Sequence, residues 1–481
     1  MTDFERHLVV VEHGSRQEEA GDQMLQATVV PEGEAPPTKT TNLRLTDTGG
    51  AERFLQRYGN DVRYCYPLKR WFLFDGQRWA PDNMGAIFRL AKRVGDILVE
   101  EAEVAEDPKA KWALLKFAES RCQSIAGHRA FIALAQSEVP VLSNDMDQDP
   151  FLLTVLNGTI NLLQTGELRP HNRNDMISKL APVRYDPQAW CPLWKLFLDR
   201  IFDGNSPLIE YLQRVVGYSL TGDTREKGLF ILHGNGDNGK TTFLNAIQSL
   251  LGINEYATST SPATFLATKY ARIPNDVAAL RGARFVAAVE VDSGQHLAEA
   301  LIKQLTGGDI ISSRFMRSEF FNQKPAFKIF IACNHRPEIR GRDDGIWGRI
   351  NLIPFEVQIP GAQQDRQLGD KLKSELPGIL NWALEGCLRW QREGLTPPKE
   401  VVQATNRYRR KMDPLGGFID AWCLVGPGYE VMASRLYQAY CSFKGDQEVT
   451  QKKFSMLLAE RGFAKRHVTE GTRWLGIRLK P

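Results

Sequence analysis

One stretch constrains the fold of this chain more than any other. The apolar run Leu229-Phe230-Ile231-Leu232 has the length and composition of a buried strand. Gly234-Asn235-Gly236-Asp237-Asn238-Gly239-Lys240-Thr241 follows it. From Thr242 onward Phe243, Leu244, Ile247, Leu250 and Leu251 recur at helical spacing, and Gly252 stands where a helix C-cap belongs. Strand, glycine loop and helix in this order are the setting that a phosphate-binding loop requires. The glycines let backbone N–H groups turn inward around the β- and γ-phosphates, and the positive end of the helix dipole adds to that field. Lys240 would bring a mobile charge to the phosphates, and Thr241 a hydroxyl for Mg²⁺. The candidate nucleotide-binding residues are therefore Gly234, Asn235, Gly236, Asp237, Asn238, Gly239, Lys240, Thr241 and Thr242. The plain alternative is a Gly/Asn-rich turn with a chance lysine, which the flanking strand and helix disfavour.

A second apolar strand, Phe285-Val286-Ala287-Ala288-Val289, ends in Glu290-Val291-Asp292. In a nucleotide-hydrolysing site one carboxylate holds Mg²⁺ and another polarises the attacking water. If the strand continues, Glu290 and Asp292 share one side by alternation. A third strand, Phe327 to Cys333, ends at Asn334-His335. Asn334 suits a polar residue that reaches the γ-phosphate, and His335 is the weaker candidate. Arg349, just before Ile350, is a candidate for transition-state charge stabilisation, against the alternative of an ordinary surface ion pair. Between the acidic strand and the Asn strand, Leu301 to Asp309 reads as a helix and a Gly-Gly turn. A hairpin follows, carrying Arg314, Arg317 and Lys324 among aromatics, a candidate grip for nucleic-acid phosphates.

Composition narrows the remaining classes. The chain has 481 residues, 42% hydrophobic and 25% charged, as in ordinary globular proteins with two to four domains. Net charge is only +4, so contact with DNA must come from local basic clusters. The seven cysteines include no C-x-x-C pair, which argues against a zinc site or a disulfide framework. With no apolar run of membrane length and no signal-peptide pattern, no membrane role and a cytoplasmic location are expected.

Residues 1–42 are polar and proline-bearing and read as a flexible arm. Residues 43–222 read as a mixed, mainly helical domain. In it Trp71 to Trp79 suggests two strands about an Asp-Gly turn, with the tryptophans as core, and Ile87 to Phe117 shows helical periodicity. Phe151 to Leu162 is a further hairpin, and residues 192–220 are helical. After residue 360, helices run to about 424. The last stretch combines two helices, around Ser434–Tyr440 and Gln451–Arg461, with a closing hairpin that turns near Glu470-Gly471. Two helices and a β-wing suggest a winged-helix module whose basic face is Lys452, Lys453, Lys465, Arg466 and Arg473.

The order of these motifs resembles the helicase part of phage and plasmid primase-helicases, superfamily 3 AAA+ helicases with poxvirus relatives. It rests on Asn157-Gly158 with Gly166 to His171, Tyr211 to Gly222, the glycine loop, Lys303 to Asp309, Asn334-His335-x-Pro337 and Trp347-Gly348-Arg349-Ile350. The resemblance implies an α/β P-loop AAA+ core at 223–360, behind the mainly helical N-terminal domain and ahead of a helical extension (361–424) and the C-terminal winged-helix-like module (425–481). It implies a ring, usually a hexamer, with ATP and Mg²⁺ between subunits, Arg349 as a finger reaching the neighbour, and Asn334 as a sensor. The hairpin from Arg314 to Lys324 would grip one DNA strand, moving 3′ to 5′. Single-stranded and forked DNA are the implied partners. The family often carries a primase domain upstream, for which the 42-residue arm leaves no room, so primer synthesis is not expected and a separately encoded primase or polymerase is a candidate partner. A DNA-binding initiator that melts an origin without translocating, and a small-molecule kinase, are the competing classes. The Asn334 strand, the Arg349 loop and the C-terminal module speak against the kinase.

Overall fold

The computed structural model describes residues 43–163, 166–268, 275–314, 321–445 and 450–481. The expected arm lies outside them. The described chain forms two compact units, one made of residues up to Gly76 together with Ala80–Val141, the other of Gln77–Trp79 and Leu142–Pro481.

The first unit pairs Val62–Cys65 antiparallel with Arg70–Phe74 and surrounds them with helices at Asp47–Tyr58, Ala86–Lys92, Val94–Glu103, Pro108–Ser120 and Ile125–Ala135. Phe54, Trp71, Leu90, Leu98 and Phe131 form its core, so Trp71 packs as expected. Trp112 and Leu115 do not follow the apolar stripe inward: both are exposed, and Ala118 is the buried residue of their helix. Arg53 is buried and held by a bidentate pair with Glu101 at 2.7 and 2.8 Å.

The second unit is built on a parallel five-stranded sheet. We label its strands β1 (Leu229–His233), β2 (Ala257–Ser259), β3 (Phe285–Val289), β4 (Lys328–Cys333) and β5 (Ile350–Pro354), and the helices around it α1 (Ser206–Leu220), α2 (Lys240–Leu251), α3 (Glu299–Gly307), α4 (Leu376–Glu393) and α5 (Lys399–Met412). The strand order is β5-β1-β4-β3-β2. Each central strand is apolar on both faces because both are covered. Phe230, Leu232, Phe285, Phe330 and Ala332 join one core with Phe243 and Leu244 of α2. Leu229, Ile231, Val286, Ile329, Ile331 and Cys333 join the other with Trp347 and Tyr408. Phe330 stacks between Phe230 and Phe285, at centroid distances of 4.9 and 4.3 Å, and so ties three strands together on one face.

Residues 142–222 do not close a domain with the segment before them. They pack with the sheet, which corrects the expected boundary at 222. The reason is α1, whose residues from Tyr211 to Leu220 are all buried. A helix buried all round has to lie between two layers rather than on one surface, and its polar residues Gln213, Arg214 and Ser219 are hydrogen-bonded there. α4 covers it so closely that a Cβ at Gly217 would stand 2.0 Å from the Cys387 backbone nitrogen. Gly217→Ala is therefore expected to lower stability by about 3 kcal/mol, because the obstacle is backbone and cannot rotate away. Denaturant unfolding checks this; a wild-type midpoint would mean that the helices tolerate separation. Two buried cations complete the join. Arg284 donates to the carbonyl oxygens of Leu220 and Leu152 at 2.6 and 2.7 Å. Lys328 donates to those of Thr221 and Asp223. Burial pushes both pKa values down, Lys328 well below the usual lysine range. Their seat at the C-terminal end of α1 offsets part of that cost through the helix dipole.

At the C-terminal end, helix Pro414–Trp422 and strand Cys423–Met432 precede the two expected helices, Ala433–Lys444 and Gln451–Glu460, and the expected hairpin, Lys465–Val468 with Gly471–Leu479. Strand Gly471–Leu479 is central in this sheet. Leu415, Phe418, Leu436, Phe454, Leu458 and Trp474 share one core, so the packed module starts at Pro414, ahead of the expected 425.

Candidate functional site

The loop from Gly234 to Gly239 joins β1 to α2 with three left-handed residues, Gly236 (φ 91), Asp237 (φ 45) and Gly239 (φ 81). It is drawn tight against the end of β5. A Cβ on Gly234 would meet Asn238 Nδ2 and the Phe355 carbonyl oxygen, each at 2.1 Å. By contrast a Cβ on Gly236 would meet nothing within 4 Å, so the crest of the loop is open. Asn238 Nδ2 donates to the Phe355 carbonyl at 3.0 Å, and the Ile359 amide donates to the Asp237 carbonyl at 2.7 Å. Asn238 is buried and braces the loop from within, while Asn235, Asp237 and Thr241 are exposed and Thr242 is half-buried.

Lys240 is only 6% exposed. Its ammonium donates to the Gly234 carbonyl at 2.8 Å, to Asn238 Oδ1 at 2.9 Å and to Asn334 Oδ1 at 3.0 Å. All three partners are neutral. The donors are satisfied, but among the described residues no counter-ion pairs with the charge, and burial lowers its pKa. A caged cation of this kind, beside an open loop crest, suits an incoming anion.

Strand register places the other candidates. His233 pairs with Cys333, and Val289 with Ala332, so Gly234, Asn334 and Glu290 follow neighbouring strand ends along one edge of the sheet. The Glu290 amide donates to the Ala332 carbonyl at 3.0 Å, and Glu290 itself has φ 70. A non-glycine residue in that region is uncommon and concentrates at functional positions. The strand ends at Val289, so the condition for strict alternation is not met, although Val291 is buried and Glu290 and Asp292 on either side of it are both exposed. Asn334 and His335 are also exposed.

Arg349 stands at the opposite edge. Its carbonyl accepts from the Leu229 amide at 2.7 Å, at the start of β1, whereas the glycine loop leaves the end of β1. Five strand residues separate the two edges, about 16 Å at the rise of a parallel strand. The Arg349 guanidinium is held by its own chain, through Thr306 Oγ1 at 3.0 Å and the Gly345 carbonyl, and forms no ion pair among the described residues.

Of the expected nucleic-acid contacts, Arg314 and Lys324 flank the short ladder of Ile311–Ser313 with Phe321–Gln323. Arg314 is half-buried and Lys324 exposed; Arg317 lies outside the described residues. In the C-terminal module Lys452, Lys453 and Lys465 are exposed, Lys465 lying 4.7 Å from the Trp474 ring centre. Arg466 and Arg473 both pair with Glu430, which reduces the expected basic face. Glu430 sits in the strand that the sequence reading left out. Asn238 is legible in the sequence as part of the loop but not as its brace. Among the described residues no group of three or more His, Cys, Asp or Glu is placed to hold a metal ion, and no helix is long and apolar enough to cross a membrane.

Residues 51–203 match the family described as D5 N terminal like, and residues 232–349 match a family of unknown function (DUF5906). The chain is similar to the putative helicase L207/L206 of Acanthamoeba polyphaga mimivirus, 27% identical over 312 residues that cover 58% of this chain and 31% of that protein. It is also similar to putative helicase 121R of Invertebrate iridescent virus 3, 24% identical over 452 residues, 79% of this chain and 47% of that protein. The chain thus spans less than half the length of these two relatives. Among solved structures, the apo NrS-1 C terminal region aligns with a TM-score of 0.47 at 12% identity, over 87% of this chain and 96% of that one.

Proposed function

We propose that this chain, similar to viral putative helicases, is an ATP-driven DNA helicase motor of superfamily 3 type that works as a ring in replication of a phage, plasmid or mobile element. The observation that carries this reading is the caged ammonium of Lys240. It joins the glycine loop to Asn334, a residue from a strand inserted between β1 and β3. A triphosphate would lie on the open crest at Gly236, take the Lys240 charge from its neutral partners and leave Asn334 beside the terminal phosphate. The donor set fits ATP with Mg²⁺. Exposed Thr241, Glu290 and Asp292 would supply oxygen ligands, and the lack of a preformed cage among the described residues is normal for an ion held mainly by phosphates and water. When bound, Mg²⁺ would neutralise charge on the phosphate oxygens. Glu290, turned out of the strand, polarises the attacking water.

Glu290→Gln is expected to keep ATP binding and to slow hydrolysis about a hundredfold or more, since the amide preserves shape and loses the base. Single-turnover ATPase assays check this. If Asp292→Asn proves the more damaging change, the two acids exchange roles.

Arg349, about 16 Å from its own loop, serves a neighbouring subunit's site. The hairpin from Arg314 to Lys324 contacts the translocated strand, and the C-terminal module adds winged-helix contacts to DNA through Lys452, Lys453 and Lys465. The test is unwinding of forked duplexes with a free 3′ or 5′ tail, together with ATPase activity with and without single-stranded DNA. ATP-dependent strand separation on forks with a 3′ tail is expected. Nucleotide-dependent DNA binding without strand separation would replace the helicase by the initiator. ATPase activity indifferent to DNA would end both.

A further inference from the structure

Arg336 lies two residues beyond Asn334, in the turn that leaves β4. It is half-buried, and its guanidinium carbon stands 5.2 Å from the ring centre of Tyr408 on α5. Tyr408 is itself immobilised: it is buried, its hydroxyl donates to the Pro337 carbonyl, and its ring meets Trp347 edge-on at 5.3 Å. The Arg336 cation thus lies within cation–π distance of a ring that is itself held in place. No carboxylate pairs with Arg336 among the described residues.

Asn334, two residues before Arg336 at the end of the same strand, accepts from the Lys240 ammonium at 3.0 Å. His233 and Cys333 are register partners at the ends of β1 and β4. Burial lowers the His233 pKa to about 4, with Arg336 and Lys240 as the next contributions. Burial pushes the Cys333 thiol up to about 12, and the same two cations oppose it. The end of β4 thus carries both a partner of Lys240 and the Arg336 side chain. Lys240 is served by neutral partners, and among the described residues no counter-ion sits with Arg336. Two cations gathered this way repel each other until an anion arrives.

We propose that Arg336 binds the terminal phosphate of a nucleoside triphosphate held by the glycine loop of its own subunit, acting beside Lys240. This rests on the nucleotide reading above. A planar guanidinium can take two phosphate oxygens at once, and an ammonium cannot. A diphosphate has no terminal group to offer there, so Arg336 distinguishes the nucleotide before hydrolysis from the product. It differs from Arg349 in acting within one subunit.

The test compares affinities of the full chain for a non-hydrolysable ATP analogue and for ADP, both with Mg²⁺, by calorimetry. Arg336→Ala is expected to weaken the triphosphate analogue about tenfold or more and to leave ADP within about twofold, with Arg336→Lys in between. Arg336→Gln, which keeps side-chain length over Tyr408, should repeat the alanine result. Equal weakening of both nucleotides in all three variants would assign Arg336 a packing role and overturn the proposal. So would an unchanged ratio accompanied by loss of affinity for single-stranded DNA, which would make Arg336 a nucleic-acid contact. If wild type binds neither nucleotide, the nucleotide reading falls and this inference with it; if wild type binds both and only the variant ratio stays put, this inference falls alone.

Discussion

Lys240→Ala is expected to reduce ATP hydrolysis by at least about a hundredfold, the scale on which one charge-stabilising donor acts in an enclosed site. The fold should survive. The loop keeps its brace from Asn238 to the Phe355 carbonyl and its tie from Ile359 to Asp237. α2 keeps Phe243, Leu244 and Ile247 in the core. What the variant loses is the one side chain that connects the loop to Asn334. Steady-state ATPase activity and thermal unfolding measured on one preparation separate the two effects. Wild-type turnover in this variant would remove the phosphate-binding assignment, whereas a collapsed melting transition would mean that the caged ammonium is structural.

Arg349→Ala is expected to cost on the order of a thousandfold in hydrolysis while leaving nucleotide affinity near that of wild type, as for arginines lent across an interface. The position of Arg349 sharpens this expectation. The residue begins β5 beside the start of β1, on the far edge from its own loop, and its anchors Thr306 and Gly345 belong to its own chain. It therefore acts on a neighbouring subunit or not at all. Mixing tests this directly. A Lys240→Ala subunit has a dead site but keeps its arginine, and an Arg349→Ala subunit has an intact loop but nothing to lend. Co-assembled mixtures should regain part of the ATPase activity. A co-assembled mixture that stays at the sum of two inactive proteins rules out action across an interface. Lysine at 349 should rescue poorly, because an ammonium lacks the fork that spans two phosphate oxygens.

Much of this site was legible along the chain because its signals are local. The glycine loop announces itself by the residues that tolerate left-handed backbone, and Gly236 and Gly239 adopt it. The helix after it and the two helices near the C-terminus follow from apolar spacing, and the strands from short apolar runs. Each of these depends on neighbours a few residues away, so a one-dimensional reading reaches them.

Tertiary structure decided the rest. The insertion of β4 between β1 and β3 brings Asn334 to Lys240 across 94 residues of chain, and no local periodicity encodes which strand lies beside which. Glu290 leaves the strand because its backbone turns left-handed there, so the exposure of Glu290 and Asp292 around buried Val291 is set by that turn and not by strand alternation. Residues 142–222 join the sheet because α1 is buried on every side and needs α4, which arrives much later in the chain. Glu430 neutralises part of a face that looked basic, from a strand that shows no clean alternation. In each case the deciding term is burial or pairing between distant segments. That free energy exists only once the segments have met, so the sequence supplied the parts of the site, and packing determined which of them share an edge.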